Sequence, residues 1–315
     1  LMTDLVRAPS SVTIARRPSS GASRDMGWGM QGLRKYLAPA LFVAPGFLIF
    51  TAFILYPMLQ AVLMSLFDWK VVAGATSTFL GLANYVRALN DPHLWLSLSN
   101  SALYMLFTVP PQIALGLGIA LLLQHKSPTQ PFFRVLYYLP VVTSWVVVSL
   151  LFKYLFADRG LINFLLGMQV SWLSERWTAM VAICALGVWK GVGWSMMIFI
   201  AALQGVPGSL IEAAKIDGAN PWQRFLNVTI PAIWPTMAFI TIMLVIGGLN
   251  VFTSVQSITD GAPGGSTDVV LTYMYRTTFS FLDFGYGSAI AVLLTVLVFA
   301  LSAIQLRFFR NEAVQ

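Results

Sequence analysis

The sequence predicts an all-α integral membrane protein with six transmembrane helices, and three observations carry that class. Of 315 residues, 57% are hydrophobic and only 10% are charged, against about 25% charged in a soluble domain. The mean hydropathy is +0.76. Six runs reach the roughly 20 apolar residues needed to cross a hydrocarbon core: about 37–66, 99–124, 131–156, 178–204, 232–257 and 287–309. The alternating ten-residue pattern of a membrane barrel is absent.

Residues 1–36 precede the first run and are polar, with Pro, Ser, Gly and several arginines. They lack the apolar surface needed to fold alone, so a largely disordered cytoplasmic tail is expected, followed by one membrane domain over 37–315. A charged stretch before an apolar run resembles a signal peptide, but this run is too long and no small-residue cleavage site follows it.

The flanks orient the spans, because Lys and Arg concentrate on the cytoplasmic side. Arg7, Arg16, Arg17, Arg24, Arg34 and Lys35 fall on one side, with Lys126, Arg134, Lys215, Arg224, Arg307 and Arg310. The opposite loops balance Lys70, Arg87, Arg159, Arg176 and Arg276 with Asp68, Asp91, Asp158, Glu175, Asp260, Asp268 and Asp283. Both termini are therefore expected in the cytoplasm. Trp69, Trp95, Trp172 and Trp177 cluster at the other interface, as an aromatic belt does.

Between the fourth and fifth runs lies a polar hairpin, residues 207–231, placed in the cytoplasm by this orientation. Pro207-Gly208 ends the fourth run, and Ser209 with Glu212 has the spacing of a capping box. Gly218 is placed to stop the first short helix in a left-handed conformation. Asn220, Pro221 and Gln223 then read as the cap and first turn of a second. An amphipathic helix resting on lipid would favour basic residues and large apolar anchors. This one carries Glu212, Ala213, Ala214, Asp217 and Gly218 instead, which favours docking of a protein partner.

Polar residues inside spans mark a pathway or serve interhelical packing. Aromatic rings offer a solute a stacking face, and side-chain amides and hydroxyls offer it hydrogen bonds. On that ground the candidate pathway residues are Tyr138, Ser144 and Trp145 in span three, Trp189, Lys190 and Trp194 in span four, and Asn250, Thr253 and Gln256 in span five. Lys190 is the only charged group deep in an apolar run. It requires a carboxylate or a water-filled cavity at depth, or else snorkels to the interface. The run Ile246 to Asn250, with its two glycines, either loosens span five or permits tight packing.

Other chemistries find little support. His93 and His125 lie in separate loops, which argues against a histidine metal site. Cys184 is the only cysteine, so no intrachain disulfide forms. No phosphate-cradling G-x-x-x-x-G-K-[ST] occurs, so ATP hydrolysis on this chain is not expected. An ion-driven secondary transporter of a small polar solute, the main alternative, calls for intramembrane carboxylates. A membrane enzyme calls for a convergent acid, base or metal set. The spans offer neither.

Glu212-Ala213-Ala214, Asp217-Gly218-Ala219 and Val228-x-Ile230-Pro231 resemble the EAA motif of permease subunits in binding-protein-dependent ABC importers. Further stretches resemble the carbohydrate-uptake branch: FLGLANY, RVLYYLPVVTSWVVVSLLFKYLF with GLINFLLG, VWKGVGWSMMIFIAALQGVP, and the segment from Phe252 to Phe279 with FGYGSA. One departure is Asp260-Gly261-Ala262-Pro263, where the family has a run of glycines before the loop proline. The resemblance implies a bacterial inner-membrane, multi-pass subunit for import of a sugar, oligosaccharide or glycerol phosphate. It implies that the hairpin is a coupling helix between helices 4 and 5. The implied partners are a second, related permease subunit, two ATP-binding subunits that carry ATP and Mg, and a periplasmic solute-binding protein. Membrane lipid completes the surroundings, no nucleic acid is implied, and this chain itself takes no cofactor or metal and is not an enzyme.

Overall fold

The computed structural model describes residues 30–71, 76–124 and 127–312. Most of the expected tail (residues 1–29), His125 and Lys126 lie outside them. The chain divides into two compact units at Tyr56 and Pro57. The first contains α1 (Met30–Phe50) and a π-helical turn, Thr51–Leu55. Helix α1 thus starts inside the segment expected as tail.

The second unit opens with α2 (Tyr56–Met64), a short antiparallel pair β1 (Phe67–Asp68) and β2 (Thr78–Phe79), and α3 (Ala83–Leu89). Phe67 faces Phe79 across the ladder, with ring centroids 5.2 Å apart. Helix α4 (Pro92–Leu122) begins at Asp91, whose side chain accepts the His93 N–H while Pro92 fills the first helical position. This start puts residues suited to each orphan site of a helix N-terminus where they are needed.

The third apolar run departs from expectation. It is not one helix over 131–156 but two, α5 (Gln130–Val142) and α6 (Trp145–Leu155), bent by 96°. Thr143 and Ser144 at the break have ψ of 152° and 133°, outside the helical region. Then follow α7 (Leu161–Leu166) and the unbroken α8 (Arg176–Gln204). The hairpin holds α9 (Gly208–Ile216) and α10 (Pro221–Arg224), and a π-helical turn at Phe225–Thr229 leads into α11 (Ile230–Leu249). The fifth run also stops early. Asn250 caps α11, and after Val251 and Phe252 the chain resumes as α12 (Thr253–Ile258). Last come α13 (Val270–Tyr275), a π-helical turn at Arg276–Ser280, and α14 (Phe284–Glu312). Among the described residues, five spans are long and apolar enough to cross a membrane, and the bent pair α5–α6 makes a sixth if taken as one.

The pairing of α4 with α8 is the centre of the second unit. Gly187, Gly191 and Ser195 repeat every four residues along α8 and so share one face. Tyr104, Gln112 and Gly116 meet them from α4: a Cβ on Gly187 would strike the Tyr104 hydroxyl, and one on Gly191 the Gln112 amide. One on Gly116 would lie 2.7 Å from Ser195 Cβ. Small residues at this period let two helix backbones approach closely in lipid, where the hydrophobic effect supplies no attraction between helices.

On the side expected to be periplasmic, polar bonds tie the loops down. Asp268 is fully buried and takes two bonds from Arg276, at 2.7 and 3.0 Å. Asn100 on α4 donates to the carbonyls of Ser266 and Asp268 at 2.8 and 2.7 Å. The loop that departs from the family's glycine run is held by these bonds, with a cis peptide between Ala262 and Pro263 and positive φ at Asp260 and Gly261. Asp91 accepts the Tyr273 and Tyr286 hydroxyls, each at 2.5 Å. Burial pushes the Asp91 carboxyl up, but the two phenols and the backbone N–H groups outweigh it and hold the group below its ordinary range. The Tyr273 phenol is pushed up to about 12, by burial and then by Asp91.

Candidate functional site

Two features stand out, and the first is the hairpin. Helix α9 ends in a left-handed Gly218, φ +78°. The Ala219 N–H reaches Ala214 O at 2.9 Å and the Gly218 N–H reaches Lys215 O at 3.1 Å. This pair of bonds is the Schellman closure, which satisfies carbonyls that a helix end leaves open. Asn220 then forms a reciprocal capping box with Gln223, both bonds 2.8 Å. Arg224 donates to Ala219 O at 2.8 Å, pinning the second helix to the turn.

The expected capping box at Ser209 and Glu212 does not form. Pro207, with φ −60° and ψ 124°, is the N-cap, and α9 starts at Gly208. Ser209 is already inside the helix, where its hydroxyl cannot reach the free N–H groups ahead of it.

The hairpin surface is exposed. Glu212, Ala213, Asp217 and Gly218 face solvent, and Ala214 is half-buried. Large apolar groups stand beside them: Ile216 is 87% exposed, Trp222 65% and Leu210 50%. A Cβ on Gly218 would meet nothing within 4 Å. The knob is thus closed at the turn between its two helices and exposed on its outer face.

The second feature is a cavity of about 450 Å³ between α4, α8, the α5–α6 break and the end of α11. It gathers five of the nine expected pathway residues: Trp145, Lys190, Trp194, Asn250 and Thr253. The other four lie elsewhere. Trp189 lines a separate apolar cavity of about 950 Å³, while Tyr138 and Ser144 do not reach the wall of either. Gln256 bonds the Asp260 carboxylate at 2.5 Å on an exposed face. Asn250 turns its amide back onto Ile246 O at 2.8 Å and closes its own helix.

Of the expected alternatives for Lys190, the structure supports the cavity, whose wall it joins. It is 3% exposed, so it does not snorkel, and no carboxylate pairs with it among the described residues. Its Nζ instead donates to the carbonyls of Pro140 and Thr143, both at 2.7 Å. It also lies 4.9 Å from the centroid of the Trp145 ring.

The cavity has a further wall absent from the sequence-based set: Tyr104, Thr108 and Gln112 on α4, and Ser254 after the α11 break. The signal was present in the sequence as polar residues at a strict spacing of four. The Ser254 hydroxyl is buried and has no hydrogen-bond partner. Indoles, amides and hydroxyls around a space of this size suit a polar solute with apolar faces. Among the described residues no cluster of His, Cys, Asp and Glu is arranged to hold a metal ion.

A profile of binding-protein-dependent transport system inner membrane components matches residues 112–311. The chain belongs to that family. The chain is 34% identical over 285 residues to a probable ABC transporter permease protein of Bacillus subtilis (strain 168), covering 87% of this chain and 97% of the relative. It is 35% identical over 275 residues to the lactose transport system permease protein LacF of Rhizobium radiobacter, covering 84% and 91%. A permease of Agrobacterium fabrum named for sulfoquinovosyl glycerol transport is 33% identical over 281 residues, covering 88% and 91%. Among solved structures, a chain of a bacterial ABC transporter that imports the acidic polysaccharide alginate superposes with a TM-score of 0.78, covering 89% of this chain and 98% of that one. At 19% identity that likeness is one of fold. With its apolar spans, this family member is a multi-pass membrane protein.

Proposed function

We propose that this permease is the transmembrane subunit of an ABC importer for a sugar or oligosaccharide. It forms half of the pathway, and a second, related permease chain forms the other half. A periplasmic binding protein delivers the solute, and two cytoplasmic subunits bind ATP with Mg and hydrolyse it. Both termini and the hairpin lie in the cytoplasm of a bacterial cell, and the chain spans the inner membrane. Closure of the ATP-binding subunits moves the hairpin, the pathway opens towards the binding protein, and hydrolysis resets it.

One observation carries this reading. The hairpin 207–231 fixes its turn through the Gly218 closure and the Asn220 cap, yet leaves Leu210, Ile216 and Trp222 exposed at its surface. A rigid knob with uncovered apolar anchors is built to enter a partner. The names of the carbohydrate-linked relatives support the solute class, as do the indoles, amides and hydroxyls of the cavity.

The test is co-expression with the neighbouring transporter subunits and affinity capture of this chain, comparing wild type with Gly218→Asp. The expected result is an ATPase that accompanies the wild-type chain and is lost with Gly218→Asp, while the membrane chain stays monodisperse. Absence of any ATPase from the wild-type preparation would remove the hairpin's role and reopen an ion-driven mechanism.

A further inference from the structure

Lys190 is the buried charge that a transport pathway leaves unexplained. The obvious role is to meet an anionic solute, but the geometry assigns its protons elsewhere. Helix α5 ends at Val142, and its last carbonyls lack intrahelical partners, as at every helix C-terminus. At membrane depth such groups are tolerated only where protein or a cavity satisfies them. Pro140 O receives the Thr143 hydroxyl at 2.6 Å and Lys190 Nζ at 2.7 Å, and Thr143 O receives Nζ at 2.7 Å. Val141 O lies 3.4 Å from the same Nζ. The ammonium therefore sits at the negative end of the α5 dipole, where a cation is favoured.

The helix that delivers it is fixed in turn. Gly193, one turn along α8 from Lys190, lets the Tyr137 carbonyl of α5 come against the α8 backbone. On the far side of the break, Ser144 provides no side-chain cap for α6, and the first residue of α6 is Trp145, whose ring lies beside Nζ. A cation at this distance from an indole attracts it. One ammonium thus closes the end of α5 and holds the first side chain of α6, and that side chain lines the cavity.

We propose that Lys190 is a positioning residue: it caps the broken third span from the neighbouring helix and sets Trp145 in the cavity wall, so that Trp145 meets the solute and Lys190 does not. This deepens the transport reading, since it assigns the contact within the pathway, but its test needs no solute and no partner.

The full-length chain, labelled with 5-fluorotryptophan and placed in lipid nanodiscs, is examined by fluorine NMR. Among its ten tryptophans, the Trp145 resonance is the one that Trp145→Phe removes. Lys190→Met is expected to move or broaden that resonance by more than its linewidth while those of Trp69 and Trp95 stay in place. Lys190→Arg, which keeps charge and donors, is expected to return it towards the wild-type position. The proposal is overturned if Lys190→Met leaves the Trp145 resonance unchanged in a monodisperse sample, or if Lys190→Arg displaces it as far as Lys190→Met. Should Lys190→Met aggregate, Lys190→Gln replaces it, and an unchanged Trp145 resonance there overturns the proposal equally. A general loss of packing would move the remote tryptophans too, which separates positioning from a merely structural effect.

Discussion

Replacing Gly193 by alanine drives a methyl group into the Tyr137 carbonyl oxygen, with Val141 Cγ2 only 3.0 Å away. The obstacle is backbone, so α5 itself must withdraw. Overpacking of this kind costs about 1–3 kcal/mol. Withdrawal also stretches the Lys190 bonds to Pro140 and Thr143, and a hydrogen bond to a charged group is worth about 1.5–3 kcal/mol. The gain in helix propensity on leaving glycine offsets about 1 kcal/mol. A net loss of about 1.5–5 kcal/mol follows from these terms. Two neighbours serve as internal controls. Gly191→Ala first meets the Gln112 side-chain amide, which lines the cavity and can swing into it, so its effect stays within about 1 kcal/mol. Gly247→Ala meets nothing within 4 Å and gains up to about 1 kcal/mol. Thermal unfolding of the detergent-solubilised chain, followed by the loss of the monodisperse peak in size-exclusion chromatography, ranks the three. The expected order of Tm is Gly247→Ala highest, Gly191→Ala next and Gly193→Ala lowest by a clear margin. A Gly193→Ala protein as stable as Gly247→Ala would refute both the close approach of α5 to α8 and the clamp built upon it.

Asn220→Ala removes the capping box with Gln223, costing about 1 kcal/mol of hairpin order; faster amide hydrogen exchange over 219–225, with the spans unchanged, is the readout. The Asp91 carboxyl is held below its ordinary range by Tyr273 and Tyr286, so its stabilisation is complete above the unfolded-state value and fades as pH falls through the lower folded one. Tyr273→Phe deletes one of those bonds, and the acid limb of a stability–pH curve should move to higher pH; an unmoved limb would show that Asp91 does not govern it.

The parts legible in the sequence are those whose cause is local. Gly218 and the Asn220–Gln223 box hold because both turn chemistries are written within a few neighbouring residues. Ser209 misled because a capping box needs its first residue outside the helix, and Pro207, two positions earlier, takes that place. The break in the third span was invisible for the opposite reason. Pro140 and Thr143-Ser144 are set in a run otherwise apolar enough to span, and the group that makes the break tolerable lies 47–50 residues away, on α8. Gln256 was assigned for its amide within a fifth span read as continuous over 232–257, and the interruption at Val251 and Phe252 takes it out of that helix. Tyr104, Thr108 and Gln112 escaped because candidates were drawn only from spans three to five, whereas the common spacing of these three puts them opposite the small residues of α8.

The two strands of chain leading to the hairpin differ in stiffness. On one side α8 runs without proline from Lys190 to Gln204, a rod of about 21 Å at 1.5 Å per residue, and only three residues separate it from α9. On the other side the chain passes through a π-helical turn and then Pro231 and Pro235 before α11 straightens, and such features are where helices bend. The knob therefore hangs from a push-rod and a hinge. A force applied to it is carried lengthwise by α8 as far as Lys190, which grips the bend beside Trp145.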